Sequence, residues 1–149
     1  MSIDTTPKMS WWNRLAHPGQ FVILTKPLIL PLTGLLFAAG LWFAFFNSPA
    51  DYQMGDTVRI MYVHVPTAWL SQFVYATMAV SAIGSLVWRH PMADVSMKTA
   101  APLGAAFTAM ALFTGSLWGR PTWGTFWEWD GRMTSTLVLL FIYLGIIAL

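Results

Sequence analysis

Three long stretches without a single charge decide which solvent this chain meets. They run from about Leu28 to Phe46, from about Val65 to Trp88 and from about Thr99 to Trp118, roughly 19 to 24 residues each. As α-helices rising about 1.5 Å per residue, they are long enough to cross a hydrocarbon core of about 30 Å. A fourth apolar stretch begins at about Met133 and reaches Leu149 after 17 residues, with no polar flank or anchoring aromatic behind it. It reads as a span cut short, and the chain as part of a longer membrane protein. Pro31, Pro66 and Pro102 are expected in or near the first turns of their helices, where proline is best tolerated. The expected class is therefore all-α: a polytopic transmembrane helix bundle, with about three complete spans plus a truncated fourth.

Composition agrees. The chain is 56% hydrophobic and 9% charged, against about 25% charged for a typical soluble domain. No basic run interleaved with aromatics is present, so nucleic acid is not an expected partner. The absence of cysteine excludes disulfides, thiolate catalysis and Cys-based metal sites. Residues 1–27 read as a cytoplasmic or interfacial tail containing Trp11, Trp12, Arg14 and a His17-Pro18-Gly19 break, and 28–149 as the membrane domain. Ser48-Pro49-Ala50 resembles a cleavage site, but the first apolar stretch is too long for a signal core and a long tail precedes it.

Orientation follows from the basic residues near the span ends. Lys8, Arg14, Lys26, Arg89 and Lys98 fall on one side, and Arg59, Arg120 and Arg132 on the other. The excess of positive charge puts the N-terminus in the cytoplasm. The 47–64 loop and the segment 118–132 then share the outer side.

That segment, WGRPTWGTFWEWDGR, carries Trp118, Trp123, Trp127 and Trp129 with Gly119, Gly124 and Gly131 between them. Two readings stand. Tryptophan at a span end is commonly an aromatic belt at the head-group layer. Four tryptophans separated by glycines also suit a large planar apolar ligand, with indole faces to pack on it and glycines permitting close approach. Trp123 and Trp127, four residues apart, are expected on one helical face with Pro121 at a helix start. Asp130 and Arg132 flank the fourth span. They can pair with each other or cap the helix with Thr134 and Ser135, and arginine can also meet a ligand carboxylate.

His64, in Met61-Tyr62-Val63-His64-Val65-Pro66, is expected on the same outer side, where the loop turns into span two. Neutral imidazole is a good ligand for haem iron. The plainer reading is an interfacial histidine at a helix start. His17 and His90 read as ordinary loop residues of the other side.

Trp118-Gly119, Trp123-Gly124, Trp127 and Trp129-Asp130, followed by Arg132-Met133-Thr134-Ser135, resemble the tryptophan-rich "WWD" signature of the haem-handling proteins of cytochrome c biogenesis. Val63-His64-Val65-Pro66 with Trp69 resembles the first histidine region of the same family. The signature follows the third span and the loops are short, so the similarity is greatest to the haem exporter C (CcmC) branch, over about Lys26 to Leu149.

The resemblance implies a six-span bacterial inner-membrane protein that holds haem b at its periplasmic face. It implies that Trp118, Gly119, Trp123, Gly124, Trp127, Trp129, Asp130 and Arg132 belong to the haem platform. His64 would be one axial ligand, and the second would lie beyond Leu149. The implied partners are a membrane-anchored periplasmic haem chaperone (CcmE-like), a small single-span subunit (CcmD-like), ABC transporter subunits (CcmA/CcmB-like) and membrane lipid. No residue reads as the acid, base or nucleophile of a covalent reaction, so transport is expected rather than catalysis. The alternatives are a haem–cytochrome c ligase of the same superfamily and an assembly subunit whose aromatic loop docks partners without haem.

Overall fold

The computed structural model describes residues 18–89 and 91–149. His17 and His90, with Lys8, Trp11, Trp12 and Arg14, lie outside them. The described residues form helices joined by short turns: α1 (Pro18–Phe46), α2 (Val58–Trp88), α3 (Pro91–Trp123) and α4 (Gly131–Ala148). Each is long and apolar enough to cross a membrane. The expected all-α class is the one observed, and the chain is a multi-pass membrane protein.

The helices exceed the charge-free stretches because helical backbone does not stop where polar side chains begin. α1 starts at Pro18, α2 at Val58 and α3 at Pro91. This corrects the reading of the prolines: Pro31, Pro66 and Pro102 all lie inside their helices, well past the first turn. Proline in a helix frees a backbone carbonyl, which spans tolerate better than soluble helices because neighbouring hydroxyls and local adjustment re-satisfy it. Thr67 Oγ1 donates to the carbonyls of Val63 and His64, both at 2.9 Å, beside Pro66.

The chain divides into two compact units, one ending at Asn47 and one covering Ser48–Leu149. In the first, α1 presents leucine, isoleucine and phenylalanine around its circumference, as expected of a helix solvated by lipid. In the second, α2 packs on α3 and α3 on α4. Arg89 ends α2 in the left-handed conformation at φ 50°, its N–H closing onto the carbonyls of Gly84 and Ser85. Pro91 opens α3, so the α2–α3 connection is very tight.

The interior of the second unit is made mostly of small and hydroxylated residues, with Met78 as its one buried large aliphatic side chain among the described residues. α3 buries Ala101, Gly104, Ala105, Thr108, Ala111 and Gly119 along one stripe. The large apolar side chains, Phe73, Val80, Phe113 and Phe141 among them, face outward. In lipid, association gains from close backbone approach and interhelical hydrogen bonds rather than from burying leucines. The centre is a polar knot. Ser71 and Thr108 hydroxyls lie 2.6 Å apart, Thr108 donates to Gly104 O at 2.7 Å, and Tyr143 of α4 donates to Ser71 O at 3.1 Å. Tyr143 packs over Gly104, where any Cβ would overlap its ring.

Candidate functional site

The start of α2, the end of α3 and the start of α4 meet at one end of this three-helix unit. Two turns frame that end. In the first, the Asp51 carboxylate accepts the N–H groups of Gln53 and Met54 at 2.8 and 2.9 Å, and Asp51 and Gly55 pair through their backbones. Gly55 has φ +57°, a conformation glycine adopts without strain. The turn presents Met54, whose sulfur accepts the indole N–H of Trp118 at 3.4 Å. Arg59 ties the turn to α2 by pairing with Asp56 at 3.2 Å and donating to Ser48 O at 3.4 Å.

The second turn is the tryptophan segment. α3 runs to Trp123, so Pro121 sits in its last turn rather than at a helix start. Gly124 then takes φ +79° and its N–H bonds Arg120 O at 2.9 Å, which closes the helix. Because the chain leaves the helix there, Trp123 and Trp127 do not share a helical face. The indoles instead pair edge to face along the sequence: Trp118 with Trp123 at 5.3 Å and 88°, and Trp127 with Trp129 at 5.4 Å and 73°. Gly119 is where the returning segment crosses α3; a Cβ there would stand 3.2 Å from the Trp123 ring and 3.3 Å from Thr125 O. Asp130, with extended backbone, caps α4 by accepting Met133 N–H at 2.8 Å and pairs with Arg132 at 2.9 Å. The bond from Met133 holds its carboxyl below the ordinary value of 3.8; partial burial opposes this and Arg132 adds to it. Capping and pairing thus occur together, by Asp130 alone rather than with Thr134 or Ser135.

Between the three helices lies a cavity of about 420 Å³ lined by His64, Trp118, Trp123 and Arg132, together with Met61 and Gly115. This volume is in the range of cofactor and small-molecule sites. Four of the nine residues expected at the site line it. The Arg132 guanidinium lies 5.0 Å over the Trp123 ring while paired with Asp130. Gly119, Gly124 and Asp130 do not line it: Gly119 packs under Trp123, Gly124 closes α3, and Asp130 holds Arg132. Trp127 and Trp129 do not line the cavity: Trp127 has a buried indole N–H without a hydrogen-bond partner among the described residues, and Trp129 is 76% exposed.

His64 is not at a helix start. It lies inside α2, well past Val58. Its Nδ1 is 3.1 Å from Ala111 O and 3.1 Å from Thr114 Oγ1, both on α3. No hydrogen bond engages Nε2 among the described residues. Sequence reading missed Met54, Ala111, Thr114 and Gly115, which come to the site from distant positions and carry no spacing signal linking them to His64.

The donor set is one imidazole with an open nitrogen, two crossed indoles and a guanidinium, in a mainly apolar cavity. It fits an iron porphyrin: nitrogen for iron, aromatic faces for the ring and a cation for propionate. The cavity and the bundle define a class, a polytopic membrane protein with an aromatic, imidazole-bearing cavity at one end of its helices. The family model described as Heme exporter protein C (CcmC) matches residues 11–149, and the chain belongs to that family. It is 56% identical over 138 residues to Heme exporter protein C of Bradyrhizobium diazoefficiens, covering 91% of this chain and 52% of the relative. Identity to the protein of the same name from Haemophilus influenzae is 47% over 142 residues, 93% of this chain and 58% of the relative. To that of Escherichia coli K12 it is 52% over 115 residues, 77% of this chain and 47% of the relative. The chain thus spans about half the length of these relatives.

Proposed function

We propose that this chain carries haem-handling machinery of cytochrome c maturation, binding haem b as cargo at the end of α2, α3 and α4 where His64 meets the tryptophans. The observation that carries the reading is the convergence of His64, Trp118, Trp123 and Arg132 from three helices onto one cavity. An aromatic belt predicts indoles at a span end but no shared cavity with a histidine whose Nε2 is open. His64 would supply the nitrogen that holds the iron, through the Nε2 left without a hydrogen bond among the described residues. Trp118 and Trp123 pack on the porphyrin, and Arg132 is within reach of a propionate while Asp130 holds it. The chain's own work is to bind and orient the ring and to exclude water. Apart from the exchangeable bond between His64 and iron, this reading assigns the chain no bond-making or bond-breaking step, and transport is favoured over ligation on the names of the relatives.

Trp127 and Trp129 have a different part in this reading. The exposed Trp129, with Phe126 also exposed nearby in sequence, offers an aromatic surface next to the cavity. It suits docking of the CcmE-like chaperone that takes the haem onward. The CcmD-like and CcmA/CcmB-like subunits complete the assembly, in the bacterial inner membrane with this end periplasmic.

The test is haem per polypeptide in the full-length protein after membrane extraction, with abundance measured beside it. His64→Ala and the Trp118→Ala, Trp123→Ala double variant should lose haem strongly at normal protein level. Each aromatic contact contributes about 0.5–1.5 kcal/mol beyond its buried area. Trp129→Ala should keep haem and slow its transfer. Normal haem content in the double variant would refute the platform.

A further inference from the structure

We propose that α3 locks the His64 ring in the tautomer with its proton on Nδ1, so that Nε2 is presented as the metal-binding atom, with Thr114 and Gly115 as positioning residues. The inference rests on the reading of His64 as an iron ligand and adds how the ligand is prepared.

The proton can be assigned from its neighbours. Ala111 O can only accept. Thr114 has one hydroxyl proton, which the carbonyls of Met110 at 2.7 Å and Ala111 at 3.3 Å both accept, so its oxygen is left to accept at Nδ1. Both groups 3.1 Å from Nδ1 are therefore acceptors, and Nδ1 must carry the hydrogen. In neutral imidazole, Nε2 then holds the lone pair. Donation from the far nitrogen to a carbonyl fixes the ring's orientation and raises the basicity of a metal-bound imidazole. Gly115 sets the depth of the seat: a Cβ there would stand 3.1 Å from His64 Cε1. A side chain at Gly115 requires the ring to shift by a few tenths of an ångström, enough to disturb its hydrogen bonds to α3.

The first measurement needs no haem. Full-length protein with isotopically labelled histidine gives ring-nitrogen NMR signals, and His64 is assigned by difference against His64→Gln. The expected form is Nδ1–H in the wild type and in Thr114→Ser. Thr114→Val keeps the shape and removes one of the two acceptors; Ala111 O remains, so the Nδ1–H form should still dominate but with a larger Nε2–H fraction than in the wild type. A wild-type ring in the Nε2–H form overturns the proposal. With haem bound, Thr114→Val should raise the reduction potential and weaken haem retention about tenfold, the lower bound for lost outer-sphere support. Thr114→Ser should restore both. A Thr114→Val protein with wild-type tautomer fractions, potential and retention overturns the positioning role. The iron-ligand reading fails by a separate result: an unchanged haem spectrum in His64→Gln while the wild-type ring is Nδ1–H.

Discussion

At the scale of single residues, the site depends on side chains that hold other side chains. Asp130 is one. Its carboxylate caps α4 through Met133 N–H and holds Arg132 beside Trp123. Because its folded pKa lies below the ordinary 3.8, chiefly through the Met133 bond, the unfolded chain takes up that proton more readily. Its contribution to stability is complete above the ordinary value and is lost as pH falls through the lower, folded one. We expect amide protection at Met133 and Thr134 to drop in acid below about pH 4. Asparagine also caps helices but does not titrate there, so Asp130→Asn should give a flat profile. The same acid drop in Asp130→Asn would assign the effect to another group. Asp130 and Arg132 were legible in the sequence because their spacing is local. Thr114 was not. It meets His64 from another helix, and nothing in a linear chain marks that register. The indoles lie between these cases. Their clustering announced an aromatic surface, but Gly124 at φ +79° separates Trp123 from Trp127, and a glycine in a pattern does not declare its φ.

At the scale of helices, the charge-free stretches located each span but not its ends. A lipid-crossing signal marks only the part that meets hydrocarbon, so Val58–His64 read as loop although it is helical. The difference matters for function, since a histidine inside a helix is held more firmly than one at a fraying start. Contact between α3 and α4 depends on Gly104 accepting the Tyr143 ring. Gly104→Ala should destabilise the bundle by about 1–3 kcal/mol through overpacking, and Gly104→Leu should separate α3 from α4. Tyr143→Phe removes only the hydroxyl bond to Ser71 O, and such bonds in membranes average about 0.6 kcal/mol. Unfolding midpoints in detergent should therefore rank Gly104→Leu below Gly104→Ala, and Gly104→Ala below Tyr143→Phe, which stays near wild type. A Tyr143→Phe variant as unstable as Gly104→Ala would mean that hydrogen bonding, not close approach, holds these helices.

At the scale of the whole molecule, the helices decide which groups share a side of the membrane. α2 and α3 are joined by a very tight turn, so the start of α2 and the end of α3 lie together, as the bond between Met54 and Trp118 requires. A site built from His64, Trp118, Trp123 and Arg132 is therefore wholly on one side, and the remaining question is which. In the three-helix unit Arg89 and Lys98 lie near the opposite end from the site, and Lys8, Arg14 and Lys26 are further basic residues earlier in the sequence. The side of the site has Arg59, Arg120 and Arg132, of which Arg59 and Arg132 are paired with Asp56 and Asp130. Positive charge is retained on the cytoplasmic side during insertion, and on the proposed reading this sets the cavity outward and the Arg89 turn inward. Reporter fusions placed after Trp88 and after Asp130 should give opposite signals, with the externally active reporter working only after Asp130. The reverse pattern would put the cavity on the cytoplasmic side, and equal signals would rule out a single crossing by α3 between the two fusion points. Replacing Arg89 and Lys98 together with Gln tests the cause. If the charge difference sets the orientation, a fraction of the protein should invert, visible as mixed reporter activity. Unchanged topology in that variant would move the determinant to the basic residues at or before Lys26.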